Sequence, residues 1–92
     1  MNYIKVKWVH NFTDEPVWLY SELNDSREET RKVEIFPDGS YCYAYDEKSS
    51  GTTLLSITPL PTLEEIAEDP QFLPEEIQIG EFEEAWAKAV SG

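Results

Sequence analysis

Hydrophobic and polar positions alternate from the start of the chain. In residues 3–10, Ile4, Val6 and Trp8 fall on one side and Tyr3, Lys5 and Lys7 on the other, which is the period of a half-buried strand. Turn formers occupy residues 11–16. Residues 17–23 then set Val17, Leu19 and Leu23 against Trp18, Tyr20 and Glu22, predicting a second strand. The polar run Asn24 to Glu29 reads as a loop, and Arg31, Val33 and Ile35 alternate with Lys32, Glu34 and Phe36 in a third strand. Phe36-Pro37-Asp38-Gly39-Ser40 is the sharpest turn signal, because proline presets φ and glycine accepts a left-handed residue. It predicts a tight hairpin into a fourth strand, Tyr41 to Tyr45. A Ser/Gly loop at 49–51 and a shorter strand near 53–57 follow.

The period changes after Pro59 and Pro61. Thr62-Leu63-Glu64-Glu65 has the spacing of a capping box, predicting a short helix over about 63–68 that Asp69-Pro70 ends. Residues 71–79 stay open between two readings: Pro74-Glu75-Glu76 suits a helical turn, whereas Ile77-Gln78-Ile79 alternates like a strand. From Glu81 onward Phe82, Ala85, Trp86 and Ala89 recur at helical spacing, and Ser91-Gly92 supply a stop. Strands followed by helices favour an α+β class over alternating α/β. The expected architecture is an antiparallel β-meander of four to five strands, covered on one face by a C-terminal helix, with one short helix besides. Residues 1–92 read as a single domain.

Charge changes this picture more than size does. Nineteen acids against seven bases give a formal net charge of −12, and residues 47–92 hold ten acids against two bases. Such a field repels nucleic acid and anionic membrane and draws in basic partners. The single cysteine, Cys42, excludes an intramolecular disulfide and the multi-cysteine zinc patterns. The alternating charges at the N-terminus do not suit a secretory signal, and no apolar run approaches a membrane span. The expectation is a cytoplasmic protein with no membrane association.

Candidate chemistry is sparse. His10 is the only histidine, so any triad or imidazole metal site would have to assemble around it, and it stands at a strand end as a structural residue. Cys42 sits between two tyrosines at a position that suits packing. Adjacent carboxylates are plentiful, as in Glu64-Glu65, Glu68-Asp69, Glu75-Glu76 and Glu83-Glu84, but they fall on expected solvent faces rather than in a cleft that would push their pKa values apart. Neither a calcium loop nor a phosphate-cradling glycine pattern occurs. The sequence therefore predicts no cofactor, no metal and no enzymatic activity.

The aromatic residues supply a rival reading. If Ile4, Val6, Trp8, Val17, Leu19, Val33 and Ile35 face the helix, alternation sends Tyr3, Lys5, Lys7, Trp18, Tyr20, Lys32, Tyr41, Tyr43 and Tyr45 to the opposite face. Stacking rings mixed with lysines are what nucleotide and single-stranded RNA binders use. Good strand formers paired across an exposed sheet account for the same residues, and the net charge favours that second account.

Whole segments carry a resemblance. Residues Tyr3 to His10, Leu19 to Leu23, Arg31 to Phe36 with Asp38-Gly39, and Pro59 to Ile66 resemble successive blocks of a family of short bacterial proteins catalogued as a domain of unknown function. The resemblance implies a bacterial, cytoplasmic, single-domain protein and carries no site residues. The functional expectation is a small acidic protein-interaction module that occupies a basic partner, in the manner of an immunity protein that neutralises a toxin. Its partner-binding residues are expected to be Glu64, Glu65, Glu68, Asp69, Glu75, Glu76, Glu83 and Glu84 for steering and rim contacts, with Trp18 and Tyr20 as anchors.

Overall fold

The computed structural model describes residues 1–46, 48–49, 53–56 and 58–91. Its elements in chain order are β1 (Asn2–Trp8), β2 (Trp18–Leu23), β3 (Glu29–Ile35), β4 (Tyr41–Tyr45), β5 (Lys48–Ser49), α1 (Leu63–Ala67), β6 (Phe72–Ile77) and α2 (Ile79–Ser91). The strands form one antiparallel sheet in the order β5-β4-β3-β2-β1-β6. The first five follow one another as a meander. The chain then crosses from one edge of the sheet to the other to place β6 beside β1.

Local chemistry explains most boundaries. At the β3–β4 hairpin Gly39 takes φ +87°, and the amides of Gly39 and Phe36 donate to the carbonyls of Phe36 and Ser40, each at 2.9 Å. The Thr62 hydroxyl accepts from the Glu65 amide at 3.2 Å while the Glu65 carboxylate accepts from the Thr62 amide at 3.1 Å. The capping box read from the sequence is thus formed. Residues 71–79 divide: Phe72–Ile77 is strand and Ile79 opens α2. The strand expected near 53–57 is not found at Thr53–Ser56, with Ile57 outside the described residues. The meander instead closes on the two-residue β5. The expected loop at 49–51 lies outside the described residues apart from Ser49, as does Gly92.

Cross-strand register decides which residues share a face. Lys5, Tyr20, Val33 and Tyr43 are successive partners, as are Lys7, Trp18, Ile35 and Tyr41. Between these rows run Ile4, Ser21, Lys32 and Ala44, then Val6, Leu19, Glu34 and Cys42. The expected grouping is therefore corrected: Val33 and Ile35 share a face with the tyrosines, not with Ile4, Val6 and Leu19, and Lys32 leaves the tyrosine face. Helix α2 covers the tyrosine face, where Phe82, Ala85 and Ala89 bury against Tyr3, Val33 and Ile77, flanked by Tyr20, Tyr43 and Trp86. Fully burying a phenylalanine such as Phe82 contributes about 2–3 kcal/mol.

The other face has its own apolar cluster of Ile4, Val6 and Leu23, over which lie Leu60, Leu63, Ile66 and Phe72. Strands β1 and β2 carry apolar residues on both faces, so each face needs a cover. Helix α2 covers one face as expected, and the segment carrying the short helix α1 lies over the other.

Candidate functional site

The α1 side of the sheet carries the site, and its shape begins at the β2–β3 loop. Asn24 Oδ1 accepts from the amides of Ser26 and Glu28, at 3.0 and 2.9 Å, which folds the loop back on itself. Arg27 there adopts φ 60°. Its backbone carbonyl accepts from the Leu60 amide at 2.8 Å, and its guanidinium donates to the carbonyls of Leu60 and Pro61 at 3.0 and 2.6 Å. One arginine thus fixes the segment that leads into α1 at a set height above the sheet.

Beneath that segment lies an open cleft of about 580 Å³. Its floor is Ile4, Val6 and Leu19 of β1 and β2. Leu60, Pro61, Ile66 and Phe72 form an apolar wall, with the carboxylates of Glu65 and Asp69 along the same lip. At the other end stand Ser21, Glu29, Lys32 and Ser56. Glu29 is buried, and both of its oxygens are occupied: the Ser21 hydroxyl donates to one at 2.6 Å and the Ser56 amide to the other at 2.8 Å. Lys32 lies 3.7 Å from a Glu34 oxygen and donates to the Leu54 carbonyl. This polar end has found its partners within the chain. The apolar floor and wall pack on one another, with Ile4 and Val6 buried, and the half-buried Leu19, Leu60, Ile66 and Phe72 border the open space.

Sequence reasoning placed Glu29 in a solvated loop. In the structure it starts β3, paired with Leu23 across a register shift that leaves Thr30 as the extra residue of a bulge. A Glu-Glu pair gives no sign that one member turns inward. Nor does anything local to Arg27 announce a contact 33 residues away.

The eight expected binding acids separate into two groups. Glu75 and Glu83 pair internally, with Lys5 and Arg31, and Glu84 faces Lys88 one helical turn on. Glu64, Glu65, Glu68, Asp69 and Glu76 are exposed and make no ion pair among the described residues. The first four surround α1. Amide donation from Thr62 lowers the pKa of the Glu65 carboxyl from its ordinary value.

Trp18 and Tyr20 lie on the opposite face of the sheet from these acids. Lys5 and Lys7 sit over the Trp18 ring at 5.3 and 5.9 Å, and Tyr20 packs into the core beneath α2. The structure does not bring them together with the α1 acids. The apolar groups that do lie beside those acids are Leu60, Ile66 and Phe72 of the cleft wall. The expected aromatic and lysine face is also partly built over: Tyr3 is buried, Tyr43 and Tyr45 meet Trp86 edge-on, Trp18, Tyr20 and Tyr41 are half-buried, and Lys7 is exposed.

His10 acts as a structural residue. Its Nε2 lies 2.8 Å from the Pro16 carbonyl, its Nδ1 accepts from the Phe12 amide at 3.0 Å, and its ring sits between Trp8 and Phe12. The two contacts require the tautomer protonated at Nε2. Cys42 is half-buried in mid-strand. Among the described residues no group of His, Cys, Asp and Glu is arranged to hold a metal ion, and no helix is long and apolar enough to cross a membrane.

Residues 2–91 match one family model, described as a domain of unknown function (DUF6881). No curated protein and no solved structure matches the chain.

Proposed function

We propose that this chain, which belongs to the DUF6881 family, is a binding module for a basic protein rather than an enzyme, acting in a bacterial cytoplasm in the manner of an immunity or inhibitor protein. One observation carries the reading: Glu64, Glu65, Glu68 and Asp69 lie together around α1 and make no ion pair among the described residues, whereas Glu22, Glu75, Glu81, Glu83 and Glu84 all make one. Carboxylates left unneutralised beside an apolar cleft form a polar rim around a hydrophobic centre, the usual anatomy of a protein interface. Their field steers a basic partner and keeps acidic ones away.

Association with the product of the adjacent gene, followed by biosensor, tests this. A basic protein should bind with an on-rate that falls as salt rises, and single-stranded RNA should not bind. RNA binding that is abolished by Trp18→Ala, with no protein partner, would replace this reading with the aromatic-corner alternative.

A further inference from the structure

Resting on the reading of a basic partner, we infer that the cleft between the β1–β2 floor and the α1 segment is the slot for one bulky apolar side chain of that partner, flanked in its sequence by lysine or arginine. Volume, lining and charge point the same way. About 580 Å³ of open space bordered by the half-buried Leu19, Leu60, Ile66 and Phe72, with Ile4 and Val6 at its base, admits a large side chain, and removing such a group from water is the main source of affinity at an interface centre. The lip over which the flanking residues would lie carries Glu65 and Asp69, with Glu64 and Glu68 beside them. Lys32, the one cation lining the cleft among the described residues, is already turned toward Glu34. Complementarity therefore selects basic flanks and sets them over the α1 lip.

The adjoining sheet edge does not offer an alternative way to dock. The Trp8 amide bonds toward β2 and the Val9 amide toward Gln71, so the backbones of Phe72, Pro74 and Glu76 turn outward from β6. Pro74 has no N–H, and the Phe72 amide is taken by the Asp69 carbonyl. An added strand would find one donor where it needs several. Side-chain insertion is the mode that this surface supports.

Three synthetic heptapeptides test the inference, each titrated into the full chain at low salt: KKLWLKK, KKSGSKK and EELWLEE. KKLWLKK should bind about tenfold or more tightly than KKSGSKK and shift the methyl resonances of Ile4, Val6, Leu19 and Ile66. Ile66→Trp, which fills the cleft from its wall, should reduce KKLWLKK to the affinity of KKSGSKK. The methyl shifts in the unaltered chain stand as evidence if that variant does not fold. Equal binding of the two basic peptides, with unshifted methyls, overturns the slot and leaves the basic-partner reading intact. Failure of both basic peptides to bind, or equal binding by EELWLEE, overturns that reading as well.

Discussion

Arg31 holds Glu22 by two parallel hydrogen bonds across β2 and β3, from Nε at 2.9 Å and Nη2 at 2.6 Å, while its guanidinium lies 4.9 Å from the Phe82 ring centre and 5.0 Å from that of Trp86. The same nitrogen reaches Glu83 on α2. One side chain thus ties the sheet to the helix through charge, planar hydrogen bonding and ring stacking. Lysine can supply only the first. Arg31→Lys is expected to cost about 2–3 kcal/mol in chemical denaturation, and Glu22→Gln a similar amount, because each leaves the other group under-satisfied in a largely buried position. The double variant should lose less than the sum.

The pH dependence of stability follows from the same pair. Hydrogen bonding from Arg31, reinforced by Thr30 and Tyr3 against the cost of burial, holds the Glu22 carboxyl down at about 2 rather than 4.5. A depressed carboxyl adds stability that is complete above its unfolded value and disappears as pH falls through its folded value. The denaturation midpoint should decline between pH 4.5 and about 2, and Glu22→Gln should flatten that decline. A decline equally steep in both proteins would assign it to other carboxylates.

Helix α2 depends on its buried ring more than on its half-exposed one. Phe82 is fully buried, with its centre 5.3 Å from that of Tyr3, whereas Trp86 covers Tyr43 and Tyr45 at the margin. Phe82→Ala is expected to cost about 3–5 kcal/mol and Trp86→Ala roughly 2 kcal/mol. The reverse order in urea denaturation would move the centre of the core toward the end of α2.

Arg27 bears on the site rather than on the core. Arg27→Asn tolerates the left-handed backbone of that position but cannot reach Leu60 and Pro61. Amide exchange should quicken about tenfold or more over Leu60 to Ala67, with little change in β3 and α2. Exchange that quickens throughout would show that the loop is part of the global folding unit.

Sequence legibility followed the range of the interactions. The capping box at Thr62 and Glu65, the Pro37–Gly39 turn and the strand Tyr41 to Tyr45 are written within a few residues each, and all three were readable. The face of the sheet to which Val33 belongs was not, because it depends on register between strands rather than on the alternation within any one of them. The pairing of Tyr20 with Val33 puts an aromatic and an aliphatic row side by side, whereas grouping by hydrophobicity alone had parted them. The same error sent Trp18 and Tyr20 to an open face. The cleft was hidden for a related reason: its floor is β1 and β2, its wall is residues 60–72, and the Arg27 clamp joining them spans 33 residues. The α1 acids were legible as a charged run, but that they make no ion pair among the described residues emerged only with the ion pairs in place.

Association kinetics with KKLWLKK at low salt test the central claim most directly. Neutralising the α1 lip with Glu64→Gln, Glu65→Gln, Glu68→Gln and Asp69→Asn together should slow association by about tenfold or more and leave dissociation nearly unchanged, since steering acts before contact. Glu83→Gln with Glu84→Gln, which removes carboxylates already paired on the other side of the sheet, should change the rate little. An on-rate unmoved by the α1 changes but slowed by those on α2 would contradict the account.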